Sequence, residues 1–167
     1  MTKGEILLPE FDQEMANTRK VLERIPDEQW DWQPHEKSPT LGWLAVHLAR
    51  LASWVPMTLT QDFFDVAAPG ALNQFTDIHS RQSALELFDV NATAARAALA
   101  AISDSDIMQP WSLKAGDTVY FTHPRIAVLR FFVLNHLIHH RAQLGMYLRL
   151  LDVPLPPIYG PTADEPM

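Results

Sequence analysis

The sequence predicts an all-α fold: a four-helix bundle with long connections and a proline-rich, non-helical C-terminal tail. Three observations carry this. Apolar residues recur at three- and four-residue spacing in four long segments. Prolines and turn formers gather mainly between those segments. No segment supports a sheet beyond a hairpin half at 118–122. Amphipathic helices joined by moderate connections bury their apolar stripes against one another, which makes a bundle.

The first helix is marked by Leu8, Phe11, Met15, Thr18, Leu22 and Ile25, and is expected to open near Pro9 and close before Pro26. Glu5, Glu10 and Asp12 at its start and Arg19, Lys20 and Arg24 near its end complement the helix dipole. A connection with Pro26, Pro34 and Pro39 follows, with Trp30 and Trp32 expected to anchor it on the bundle. The second helix should start from an N-cap at Ser38 or Thr40 and bury Leu41, Leu44, His47, Leu48, Leu51, Trp54 and Val55. Pro56 should kink or end it.

Residues 57–79 are mixed, with Gln61 to Val66 read as an extension of that helix and Ala67-Ala68-Pro69-Gly70 as a loop. A third, alanine-rich helix is predicted from about Ser80 to Ile102. The 103–123 segment is turn-rich, with Thr118–Thr122 as a short extended piece. Pro124 suits the first turn of a fourth helix running to about Leu151. Five prolines keep the tail, 153–167, out of helix.

The 167 residues suit one domain, 1–167, with a core large enough to need no staple. Apolar residues make up 47%, which excludes a disordered chain. The absence of cysteine removes disulfides, thiolate metal sites and thiol nucleophiles, and fits a cytoplasmic setting. No signal-like apolar stretch opens the chain and none is long enough to span a membrane. A net charge of −7 without a basic face argues against nucleic acid as a partner.

Chemistry concentrates in the fourth helix, where three of the seven histidines fall within His136-Leu137-Ile138-His139-His140. At about 100° per residue, His140 lies roughly 40° from His136, with Leu129, Val133, Leu144, Tyr147 and Leu151 in the same sector. His136 and His140 are therefore expected in the middle of the inward face, and His139 about 60° to the other side, at its edge. On the second helix His47 lies between Leu44 and Leu51 and also points inward. His35, His79 and His123 fall in loops or at a helix start. Buried imidazoles are costly unless each is satisfied, either by hydrogen bonds in the core or by a shared divalent ion. Three on the inward faces of two helices favour the ion.

Competing motifs are missing. The histidine stretch lacks the glutamate of a metalloprotease HExxH helix, and no Glu-x-x-His pair, Gly-rich phosphate loop or G-x-S-x-G elbow is found.

Several pieces together resemble the DinB/YfiT-like superfamily of metal-binding four-helix bundles. These are Ile25-Pro26 with Trp32-x-Pro34 and Lys37-Ser38, and Leu41-Gly42-x-Leu44-Ala45-x-His47-Leu48. They continue with Asn135-His136-x-x-His139-His140-Arg141-x-Gln143-Leu144, and end with Pro157-x-Tyr159-Gly160-Pro161-x-Ala163-Asp164-Glu165. The His-helix combined with the tail is the specific part. The resemblance implies a three-histidine site with His47, His136 and His140 as ligands, the same three that helical counting selects. His139 is not a ligand in that pattern, and it, Arg141 or Gln143 would orient ligands or pack at a helix contact. Ala142 departs from the family, whose members often carry glycine there.

Three neutral imidazoles would leave a divalent ion its full charge and an open position. Zinc and nickel lead among ions that suit imidazole, with iron and copper also compatible. The resemblance implies a metal-dependent enzyme, a thiol-dependent transferase or isomerase or a hydrolase-like activity, in which a low-molecular-weight thiol meets a small electrophilic substrate. With no cysteine in the chain, such a thiol comes from outside. The alternatives are a non-catalytic or stress-associated bundle whose ion pins the second helix to the fourth, and a metal-free bundle with core histidines. Trp54, Trp111, Tyr120 and Tyr159 are the candidate pocket walls.

The back of the fourth helix carries Ala127, Phe131, Leu134, Ile138 and Gly145 as an apolar stripe. Either the 103–123 segment or the tail covers it, or two chains pair through it as a homodimer.

Overall fold

The computed structural model describes residues 1–71 and 77–166. The mixed stretch expected at 57–79 therefore lies partly outside the described residues, as does Met167.

Helix α1 spans Lys3–Leu22, starting well before Pro9. The Thr2 hydroxyl accepts from the Glu5 N–H at 3.2 Å, and the Glu5 carboxylate accepts from the Thr2 N–H at 2.7 Å. This reciprocal cap holds the first turn. Pro9 has no N–H to give the Glu5 carbonyl and lies on the exposed side, where that loss costs least. A 3-10 turn at Asp27–Gln29 follows, and its Trp30 side chain packs against α2.

Helix α2, Leu41–Leu51, is capped by Thr40, whose hydroxyl accepts from the Trp43 N–H at 3.1 Å. It stops before Pro56, not at it. Helix α3, Trp54–Thr60, restarts after Ala52-Ser53 and takes Pro56 in its first turn, where a missing N–H breaks no bond. The expected helical extension through Val66 is replaced by strand β1, Phe63–Asp65. Helix α4, Arg81–Ala101, is capped by Ser80.

Strands β2, Pro110–Ala115, and β3, Thr118–Pro124, form an antiparallel hairpin with an irregularity at Leu113/Lys114. Gly116, at φ 56°, opens the two-residue loop. β1 adds to β2 in parallel, pairing Phe63 with Ser112. The result is a three-stranded mixed sheet ordered β1-β2-β3, so the fold is a helical bundle with a small sheet and not purely all-α. The extended piece at 118–122 is real; its partners lay in segments with too few alternating residues to be read as strands.

Trp111 of β2 is fully buried, and the Arg125 guanidinium donates to the Gln61 and Asp106 carbonyls and to the Asp62 carboxylate, at 3.0–3.2 Å. These contacts bind the sheet to the bundle. No helix among the described residues is long and apolar enough to cross a membrane.

After β3 the chain forms one long helix in three parts. Helix α5, Arg125–Val128, runs into a π-helical segment, Leu129–Leu134, and then into helix α6, Asn135–Leu150. The Asn135 N–H bonds to the Arg130 carbonyl, five residues back. Just past the end of α6, Asp152 takes the left-handed region at φ 56°, with the Val153 N–H on the Leu148 carbonyl and the Asp152 N–H on the Arg149 carbonyl. Phe11, Leu22, Leu41, Leu44, Leu48, Phe88, Leu129 and Leu137 form the centre of the core.

The stripe on the back of the last helix divides. Leu134 is buried in the core of its own chain. Ile138 and Gly145 line a cavity with Leu155, Pro156 and Ile158 of the tail. Phe131 is 40% exposed.

Candidate metal centre

Helix α2 presents His47 and helix α6 presents His136 and His140, one turn apart. His136 Nε2 lies 3.2 Å from His47 Nε2 and 2.8 Å from His140 Nε2. A ligand nitrogen from each of the three lies within 4.8 Å of the others, so the cluster could hold a metal ion. A tetrahedral ion with nitrogen ligands at about 2.0–2.1 Å separates neighbouring nitrogens by about 3.3 Å, and octahedral geometry by about 2.9 Å. The two observed spacings each fall within about 0.1 Å of one of these values.

The three rings are half-buried and aromatic residues wall them in. Trp43 stacks on His47 with centroids 4.7 Å apart and planes 17° apart. Trp54 meets His136 and His47 edge-on at 5.4 and 6.1 Å, and Phe132 lies 6.0 Å from His136. Trp54 and Phe132 in turn stack on each other at 5.1 Å.

Burial pushes His47 down to about 3, with further lowering by positive charge on His140, His136 and Arg50. Burial, then His140 and His139, push His136 down to about 4. His140 is also lowered, chiefly by burial, and its hydrogen bond to Gln143 opposes the shift. The site therefore holds three neutral imidazoles near neutral pH, the form that ligates metals.

The tautomer of one ligand follows from its neighbour. Gln143 Oε1 lies 2.7 Å from His140 Nδ1. An amide oxygen only accepts, so Nδ1 carries the hydrogen and the Nε2 lone pair faces the other two rings.

His47, His136 and His140 are thus brought together as expected, but not in the middle of the buried face. On α6 that face runs through Leu137, Arg141, Leu144, Tyr147 and Leu148, centred about 90° around from His136. The histidines sit at its edge, between core and surface. Of the residues that set the phase, Leu129 and Val133 lie in the π segment, where the wider turn breaks a count at 100° per residue.

His139 is exposed and stands aside, its ring 4.9 Å from that of His140. Arg141 does not reach the site. It is buried against α1, paired with Glu14 at 2.7 Å and bonded to the Tyr159 hydroxyl at 2.6 Å. Of the candidate pocket walls, Trp54 borders the triad. Trp111 is buried in the core beneath the sheet, Tyr120 is exposed on β3, and Tyr159 belongs to the tail contact. Outside the triad, His35 accepts the Lys37 N–H within its own turn, and His79 and His123 are exposed.

Sequence reading missed Trp43 and Phe132 as ring neighbours. Each lies four residues before a ligand, on the same helix face, which is the signal that finds them.

The fold recurs in solved structures. A DinB-like protein from Bacillus cereus ATCC 10987 shares 21% identity, with 93% of this chain and 97% of that chain covered and a TM-score of 0.68. A DinB-like protein from Bacillus subtilis shares 16%, covering 92% and 96%, with a TM-score of 0.70. A protein assigned to the DinB family from Exiguobacterium sibiricum 255-15 shares 23%, covering 91% and 94%, with a TM-score of 0.65. Among curated proteins, none matches this chain. The DinB family model itself matches residues 1–166, essentially the whole chain from the α1 cap to the tail, and the protein belongs to the DinB family.

Proposed function

We propose that His47, His136 and His140 bind a divalent metal ion, zinc or nickel first among candidates, and that the ion serves small-molecule chemistry. The observation that carries this is the convergence of three neutral imidazole nitrogens from two helices. Three protein ligands leave at least one coordination position open, the layout of a catalytic rather than a closed structural site. An ion held there can lower the pKa of a bound water or thiol or polarise a carbonyl. Because the chain has no cysteine, a thiol nucleophile would be a low-molecular-weight cosubstrate, and the partner substrate a small electrophile.

A second reading has its own support. The ligands come from α2 and α6, so an ion would tie these helices together even without turnover. Metal analysis of untagged protein tests binding: the expected result is one ion per chain in the wild type and loss in His47→Ala and His136→Ala. Full metal content in both variants would overturn the site. Consumption of a thiol in a panel of electrophiles, abolished by chelator, separates the enzyme from the tied scaffold.

We also propose a homodimer through the part of the α5–α6 back left open by the tail, around Ala127 and Phe131. A monomeric mass in light scattering at micromolar concentration would refute it.

A further inference from the structure

Trp43 stands on α2 one turn before His47 and is 49% exposed, although its neighbours Leu41, Gly42, Leu44 and Ala45 are buried. Its side chain therefore adds little to the core. What it touches is the triad. The indole lies flat on the His47 ring, with centroids 4.7 Å and planes 17° apart, and meets His140 edge-on at 6.0 Å. Trp54 meets the same His47 ring edge-on, with planes 84° apart, and is itself stacked on Phe132. His140 has Gln143 to fix its angle. Among the described residues, His47 bonds only through Nε2, toward His136, and no acceptor meets its Nδ1. The angle of the His47 ring is therefore left to ring packing.

We propose that Trp43 is the positioning residue of His47: the stacked indole fixes the imidazole plane with Nε2 toward the two nitrogens of α6, and so raises the affinity of the triad for a divalent ion. The proposal rests on the metal reading for its purpose, while the stack itself needs no ion. The use of an indole follows from charge. An imidazole that shares a cation's charge is electron-poor, and an indole offers the best aromatic face to such a ring. An aliphatic side chain would cover His47 without fixing its plane.

Trp43→Leu and Trp43→Phe are compared with the wild type by zinc competition against a chromophoric chelator. Trp43→Leu should lose about 10- to 100-fold in affinity, the usual cost when a ligand loses its orienting partner. Trp43→Phe keeps a flat face and should keep most of the affinity. Neither should lower the urea midpoint of metal-free protein, because the Thr40 cap uses the Trp43 backbone N–H and the side chain is half-exposed. In metal-free protein the indole ring current should also shift the carbon-bound protons of the His47 ring upfield in NMR spectra. That shift should vanish in Trp43→Leu, and His47→Asn identifies the signals. Unchanged zinc affinity in Trp43→Leu overturns the proposal. So does a loss that Trp43→Phe shares in full, or one matched by a lower metal-free urea midpoint. If the wild type takes up no zinc and yet shows the Trp43-dependent shift, the metal reading falls and the hold of Trp43 on His47 stands. Unshifted His47 protons overturn that hold, with or without an ion.

Discussion

His140 Nδ1 and Gln143 Oε1 meet at 2.7 Å across less than one turn of α6. That bond aims the opposite nitrogen at His136 and holds the ring at one angle. Gln143→Ala should leave the helix folded and weaken metal binding by about 10- to 100-fold, as is usual when a ligand loses its orienting partner. Competition with a chromophoric chelator measures it. Unchanged affinity would mean that packing against Trp43 and His139 is enough to set the ring.

Metal-free protein should lose stability on mild acidification. Unfolded histidine titrates near 6.5, whereas folded His47 and His136 are held at about 3 and about 4, and His140 is also lowered. Below 6.5 the unfolded chain binds more protons than the folded one. The stability these neutral rings confer is therefore complete above 6.5 and drains away as pH falls toward the folded values. Asp65, Asp104 and Asp164 are all lowered from 3.8, so their contribution is lost only at still lower pH. Urea midpoints of metal-free wild type and of His47→Asn should converge across this window. Parallel curves would refute the assignment.

The Glu14–Arg141 pair is almost wholly buried, with side chains 7% and 4% exposed. Glu14 also accepts the Tyr159 hydroxyl, at 2.9 Å to both oxygens. Glu14→Ala strands a buried guanidinium and should cost about 3–5 kcal/mol. Tyr159→Phe keeps the pair and should cost about 0.5–1.5 kcal/mol. Replacing both charges, with Glu14→Leu and Arg141→Met together, should cost less than Glu14→Ala alone. Denaturant titration of the three variants orders them.

Gly42→Ala should destabilise the protein despite the better helix propensity of alanine. A Cβ at Gly42 would fall 2.2–2.6 Å from the Trp30 indole, so the ring must leave its seat on α2. Overpacking of this kind costs about 1–3 kcal/mol. A red-shifted tryptophan emission with a lower urea midpoint is the expected pair of readings, and an unshifted spectrum would show that Trp30 accommodates the methyl.

The site was largely legible because its information is local and chemical. Histidine is rare enough, and helical spacing regular enough, for His47, His136 and His140 to be selected from the chain. Thr40 was one of two N-cap candidates for its helix and is the one that caps it, and the extended piece at 118–122 marked one half of the hairpin. What stayed hidden depends on other segments or on small departures from regularity. Strand β1 is three residues long and exists only because β2 pairs with it. The capping box at Thr2 went unread and the first helix was placed from Pro9, which tolerates the helix interior because it faces outward. The buried face of α6 was misplaced because a π turn has no strong sequence signature, and because Arg141, a charged residue, occupies its middle.

The separation of the ligands along the chain has a kinetic meaning. His136 and His140 are four residues apart, whereas His47 and His136 are 89 apart. A nascent α6 can offer two nitrogens, but the third arrives only when α2 has docked across most of the bundle. An ion that requires all three nitrogens is expected to engage only once α2 and α6 have docked. Where that docking follows the barrier to folding, the ion would slow unfolding without hastening folding, and the triad would govern the lifetime of the native state rather than the speed of reaching it.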